Sequence, residues 1–229
     1  MKKMKFLAFA VILLMGISFT SCFNSDDTNT YDGGTFVTVS SGYLGAGLIL
    51  KSDDGLTLSP TNPSFLLLKD KVSYPERAFV FYKLAEGETY VTGKTNYSVT
   101  IVGGYVVNVK EFNLRPDTLQ NDYNVASMPN FWYANGYATV RVGFYYTSNS
   151  IDFDLYKQKV GNDTLYVKLN YSKGGGTNYS QSTTMEYSFK LPYVEGLQPK
   201  NDSVWVKLSA KGPDNQVLEK NIHCKYDFN

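Results

Sequence analysis

Residues 162–169 read NDTLYVKL and residues 201–208 read NDSVWVKL. In each copy an Asn-Asp pair supplies a turn, and a hydroxyl residue follows to satisfy a local backbone group. Apolar side chains then alternate with polar ones: Leu165, Val167 and Leu169 in the first copy, Val204, Val206 and Leu208 in the second. A period of two is the mark of a strand with one buried face. A likeness at a single separation is not a solenoid period. The two stretches are therefore read as two strand openings in one sheet system, not as a working motif.

The same alternation extends outward from this pair. In FWYANGYATVRVGFYY, residues 131–146, Asn135-Gly136 predicts a tight turn into a strand. That strand has Val140, Val142 and Phe144 on one face, and Arg141 and Tyr145 on the other. Further strands are predicted at 151–158, 183–193 and 216–226, giving an antiparallel β-sandwich over 116–229. The first half is read as strands at 35–40, 46–50, 64–69, 77–84, 96–102 and 105–112, with Gly103-Gly104 as a two-residue hairpin between the last two. Short strands over 35–115 suit a small barrel. Between 113 and 130 the prolines and Asx residues resist a ladder, which places the boundary near 116. With 19 tyrosines and no sustained helical period, the chain is predicted to be all-β.

The N-terminus is an address. MKKMKFLAFAVILLMGISFTSC places Lys2, Lys3 and Lys5 before an apolar run from 6 to 17, the pattern of a signal peptide over 1–21. That run is too short for a bilayer core of about 30 Å. Thr20-Ser21-Cys22 resembles a bacterial lipobox, with Phe19 where leucine is commoner. Cys22 is then the lipidated mature N-terminus, and each buried acyl CH₂ contributes about 0.8 kcal/mol of membrane affinity. Residues 22–34, polar and glycine-bearing, are read as a lipidated, flexible tether. Ser25-Asp26-Asp27 resembles the acidic signal that sends such proteins to the outer face of the outer membrane, the periplasm-facing leaflet being the alternative.

Composition narrows the chemistry. Without Lys2, Lys3 and Lys5, the 22 basic residues become 19 against 21 acidic, a balance that argues against nucleic acid. With Cys22 acylated, Cys224 has no disulfide partner, so stability must come from core burial. His223 and Cys224, adjacent in a strand, point to opposite faces and cannot form a catalytic pair. One His and one Cys do not make a closed zinc site, and no metal or cofactor is expected. Asp152 and Asp154 share a face and are candidates for a weak calcium site or a carboxylate pair, against the plainer reading of a solvated edge. Asp53-Asp54-Gly55 and GYLGAG at 42–47 are read as turn chemistry, because no helix follows the glycines. Trp132, Tyr145, Tyr166 and Trp205 are candidate exposed aromatics for a sugar ring or a protein partner. Asp117-Thr118-Leu119, Asp163-Thr164-Leu165 and Asp202-Ser203-Val204 resemble the O-glycosylation motif of Bacteroides-type bacteria, making Thr118, Thr164 and Ser203 candidate modification sites.

Taken together, residues 1–22, the SDD at 25–27, the glycine-bearing first half, FWYANGYATVRVGFYY and DTLYVKLNYSKGG resemble the NigD-like lipoproteins of Bacteroides-type bacteria. The resemblance spans nearly the whole chain and rests on general character and short stretches. It implies that the barrel over 35–115 is OB-like, that Cys22 carries the lipid, and that the family's name comes from a bacteriocin operon. It supplies no catalytic residue. The expected protein is a non-enzymatic, lipid-anchored envelope protein presenting a binding surface to a protein or peptide, in bacteriocin-linked self-protection. The alternative is a glycan-binding surface lipoprotein that uses Trp132 and Trp205. An OB-like barrel does not import nucleic-acid binding, since acids and bases over 35–115 are nearly matched.

Overall fold

The computed structural model describes residues 31–41, 47–115, 122–147, 150–175 and 181–228. The signal segment, Cys22, Thr118 and all of GYLGAG except Gly47 lie outside the described residues. Five strands come first: β1 (Gly33–Ser41), β2 (Leu48–Ser52), β3 (Thr57–Pro60), β4 (Arg77–Leu84) and β5 (Asn96–Val106). They close into a barrel in the order β1-β2-β3-β5-β4. Strand β1 pairs antiparallel with both β2 and β4, and β3 pairs parallel with β5. This is the OB-like closure the sequence resemblance implied. Val37, Leu50, Leu58, Val80 and Val99 fill the interior without solvent contact.

Three expectations for the barrel are corrected. The strand predicted at 64–69 is instead a short 3-10 turn at Pro63–Leu66, which tucks Leu66 into the barrel core. Pro63 cannot donate to a ladder. Asn62 takes that part with its side chain, accepting from the Ile101 amide and donating to the Ile101 carbonyl, both at 2.9 Å. Strand β3 was not anticipated, because it is four residues long and ends in proline. Nor do Gly103 and Gly104 turn the chain. They lie within β5, where a Cβ on Gly104 (φ +150°) would stand 2.3 Å from the Phe79 carbonyl oxygen, so glycine here serves close strand contact.

The remaining strands form a sandwich. One sheet has the order β6-β11-β8-β7, built from β6 (Asn108–Glu111), β7 (Val125–Ala134), β8 (Tyr137–Tyr145) and β11 (Ser182–Lys190). The other has the order β13-β12-β10-β9, built from β9 (Asp152–Val160), β10 (Thr164–Lys173), β12 (Ser203–Lys211) and β13 (Val217–Lys225). Strand β6 pairs with β11, so the chain leaves the barrel at buried Val107 and not near 116. Strand β7 likewise begins inside the stretch read as crossover. The sandwich is antiparallel except for one parallel pair in each sheet, β6 with β11 and β10 with β12. Asn135 and Gly136 both take positive φ and form the expected turn between β7 and β8.

The two octapeptides lie side by side. Strands β10 and β12 run parallel with Leu165 opposite Val206 and Val167 opposite Leu208, all four buried. The Asn162 and Asp163 carbonyls accept from the Gln198 and Trp205 amides at 2.7 and 2.8 Å, which joins the first turn to the second copy. Only Asn201 and Asp202 of the second copy have positive φ, so near-identical residues open their strands through different backbones. Between the sheets, Phe153 stacks on Tyr171 at 4.4 Å and meets Phe144 at 5.1 Å. Full burial of one such side chain contributes roughly 1.5–3 kcal/mol.

Barrel and sandwich meet on a buried ion pair. Arg77, 0% exposed, donates through both terminal nitrogens to Asp53 at 2.9 and 2.6 Å. It also reaches Ser188 and Thr139 of the sandwich at 3.1 and 3.3 Å, and Thr38 of the barrel at 2.9 Å. Trp132 Nε1 donates to Asp53 at 2.8 Å, and Asn135 Nδ2 donates to the same carboxylate at 3.3 Å. Phe36 and Trp132 pack at 5.1 Å beside this network. Asp53, read from the sequence as turn chemistry, is the acceptor at the centre of the junction. Asp53→Ala would leave the guanidinium buried without its counter-charge, a loss of roughly 3–5 kcal/mol. Lys94→Ala, which removes the exposed pairing with Glu88, should cost less than about 1 kcal/mol. Urea unfolding of the two variants measures the difference; similar midpoints would refute it.

Candidate functional site

Strand parity decides what the β13-β12-β10-β9 sheet shows to solvent. Leu165, Val167, Val204, Val206 and Leu208 point into the sandwich, so Tyr166, Trp205, Lys207, Ser209, Glu219, Asn221 and His223 stand on the outer face. Trp205 is 38% exposed and lies on His223, its cross-strand partner, with ring centroids 4.8 Å apart and planes tilted by 35°. Tyr166 stands in one rung between Lys159 and Lys207. Their ammonium nitrogens sit 4.4 and 5.5 Å from the centre of its ring. Such a contact contributes about 0.5–1 kcal/mol at an exposed site. Among the described residues no carboxylate forms an ion pair with either lysine. Beside this rung runs a groove of about 400 Å³ whose lining includes Tyr166, Lys207, Lys220, Glu219, Ser209 and Asn221.

The structure separates the two tryptophans. Trp132 is half-buried in the barrel–sandwich junction, with its indole N–H committed to Asp53, and this corrects its reading as a ligand platform. Tyr145 lies on the opposite sheet, in β8. Trp205 and Tyr166 alone among the four candidates share a face. Thr164 is in register with Trp205, its hydroxyl donating to Asp163 at 3.0 Å, and Ser203 opens β12 opposite Lys225.

Asp152 and Asp154 do share a face, and Lys110 of β6 supplies the cation between them, with Nζ at 2.6 and 2.7 Å. Burial alone would lower the Lys110 pKa; the hydrogen bonds and charges of the two aspartates outweigh it and hold the ammonium above its ordinary value. The pair is a protein-filled cation site. Among the described residues no group of three or more His, Cys, Asp or Glu could hold a metal. His223 and Cys224 face opposite ways, as strand geometry requires. The Cys224 thiol is pushed up to about 12, first by burial and then by the nearby Asp227 charge.

Sequence reasoning missed Arg77 and the flanking lysines of Tyr166. A signal existed for the first. In RAFVFYKL, residues 77–84, Ala78, Val80 and Tyr82 face the barrel interior, yet Phe79 and Phe81 on the other parity are apolar too. A strand apolar on both faces is covered on both. The lysines carried no such signal, because cross-strand register is not written in either strand alone.

No protein-family model and no curated protein sequence matches the chain. Solved structures do. A structure of unknown function from Bacteroides vulgatus matches at TM-score 0.58 and 19% identity, covering 85% of this chain and 91% of that one. A putative lipoprotein from Bacteroides fragilis matches at 0.58 and 12%, covering 85% and 97%. A NigD-like immunity protein from Bacteroides caccae matches at 0.55 and 16%, covering 85% and 97%. These are likenesses of fold: a closed barrel followed by a β-sandwich along most of each chain. The resemblance read from the sequence and the likeness in three dimensions thus point to the same NigD-like architecture.

A thiol that ionises only near pH 12 is a poor nucleophile at pH 8, since the thiolate is the reacting form. Alkylation of Cys224 by iodoacetamide in the native protein carrying Cys22→Ala should be orders of magnitude slower than in the urea-unfolded chain, whose thiol titrates near 8.5. The native rate should keep rising with pH beyond 9. Equal native and unfolded rates at pH 8 would contradict this environment.

Proposed function

We propose that this chain is a NigD-like lipoprotein of the cell envelope, anchored through Cys22, that acts by binding and not by catalysis. The observation that carries the binding reading is the outer face of the β13-β12-β10-β9 sheet. There an exposed tryptophan, a tyrosine and two lysines that have no ion-pair partner among the described residues gather beside a groove. Rigid aromatic area of this kind anchors partners at small entropic cost. The anchoring reading is supported by the signal segment that ends at Cys22 and by the fold shared with a putative lipoprotein. In this reading the lipid at Cys22 is the membrane attachment; among the described residues no helix is long and apolar enough to cross a membrane. The lipid holds the protein in the outer membrane with its β bodies facing the cell surface. The likeness to a NigD-like immunity protein supports a role in bacteriocin-linked self-protection through a protein or peptide partner. The Trp205–His223 pair supports a second reading, recognition of a glycan.

The anchor is tested by metabolic labelling with an alkyne fatty acid. The native chain should carry label and fractionate with membranes, and Cys22→Ala should lose both properties. Equal labelling of the two chains would remove the envelope assignment. Protease treatment of intact cells should degrade the native protein; its survival would place it on the periplasmic leaflet.

A further inference from the structure

We infer that the outer face of the β13-β12-β10-β9 sheet binds an acidic polysaccharide. The sugar carboxylates lie against Lys159 and Lys207, and a sugar ring lies on Trp205. This rests on the second, glycan reading above and names the ligand class of that site.

Three observations lead to it. The first is charge that no carboxylate among the described residues neutralises. On the same sheet Lys168 pairs with Asp122 at 2.7 Å, and Lys211 donates to the Asp122 carbonyl at 3.1 Å. Lys159 and Lys207 instead converge on one tyrosine ring from strands on either side of it. Two ammonium groups drawn to a single ring repel each other, and an anion between them is attracted by both. The second is shape and aromatic content. Trp205 beside His223 offers aromatic area on the outer face, two residues along β12 from the Tyr166 rung, and a pyranose presents a flat C–H face to such a surface. The third is the mixture of polar groups in the groove. Gln158, Ser209 and Asn221 offer neutral donors and acceptors of the kind sugar hydroxyls require.

Glu219 selects among polyanions. It lines the same groove, where it accepts hydrogen bonds from hydroxyl groups but repels a dense row of phosphates. A chain with one carboxylate per sugar ring and hydroxyls between them satisfies both the lysines and the glutamate. A nucleic acid satisfies only the lysines.

The test is isothermal titration calorimetry on the full mature-length chain carrying Cys22→Ala, with polygalacturonate, neutral dextran and poly-L-glutamate as probes. Polygalacturonate should bind, dextran should bind at least about 10-fold more weakly, and 0.5 M salt should weaken binding because exposed charges are screened. Trp205→Ala and the double substitution Lys159→Gln, Lys207→Gln should each reduce affinity about 10-fold. Lys190→Gln on the opposite sheet should not. All of these side chains are at least partly exposed, and unchanged urea midpoints would show that the fold is retained. No binding of polygalacturonate, or equal binding of dextran, overturns the proposal. Tighter binding of poly-L-glutamate also overturns it, while leaving the face as a site for an acidic peptide and the binding-protein reading intact. The anchor stands or falls separately on the labelling of Cys22.

Discussion

The arrangement of the molecule depends on one guanidinium taken out of water. Arg77 leaves β4 on the outer side of the barrel and is covered by the sandwich, where it meets Asp53, Thr38, Thr139 and Ser188. A buried charge costs several kcal/mol to desolvate, and this one persists because a bidentate carboxylate and three hydroxyls satisfy it. The same carboxylate receives Trp132 and Asn135 from the β7–β8 hairpin. Apolar contact alone tolerates sliding, whereas this constellation has good geometry in a single relative placement of barrel and sandwich. Residues 31 onward accordingly form one compact unit.

The junction also accounts for the division of labour among the aromatics. Trp132 is held by Asp53 and Phe36, and Phe36 meets Phe79, which stacks on Tyr105 at 5.4 Å. These rings cover the side of the barrel that faces the sandwich. The β13-β12-β10-β9 sheet has no barrel against its outer face, so Trp205 and Tyr166 remain open to solvent. Burial of one tryptophan and exposure of the other follow from which sheet packs on the barrel. Neither indole is distinguished by its neighbours in the chain.

The internal balance of charge follows the same logic. Asp152 and Asp154 have the spacing of a cation site, and the cation is Lys110, brought by a short parallel strand from the first part of the chain. Lys168 and Asp122 form a similar closed pair. Lys159 and Lys207 have no carboxylate partner among the described residues and are drawn instead to the one Tyr166 ring.

Alternation by two, the Asn135-Gly136 turn and the repeated Asn-Asp openings were enough to establish an all-β chain and most strand positions, because these are local preferences of backbone and side chain. The parity of NDTLYVKL and NDSVWVKL even identified which side chains enter the core. Contact across the chain decided the rest. Gly103-Gly104 looks like a hairpin in isolation, but β4 lies close against it and the strand continues through with a shift of register beside Gly103. Asp53-Asp54-Gly55 looks like a turn, and it is one, yet the same aspartate neutralises an arginine from another strand. The placing of Lys159 beside Tyr166 and of Lys207 on its other flank comes from strand order and register. Those are set by which faces can be buried together, a property of the whole fold that no single stretch of residues contains.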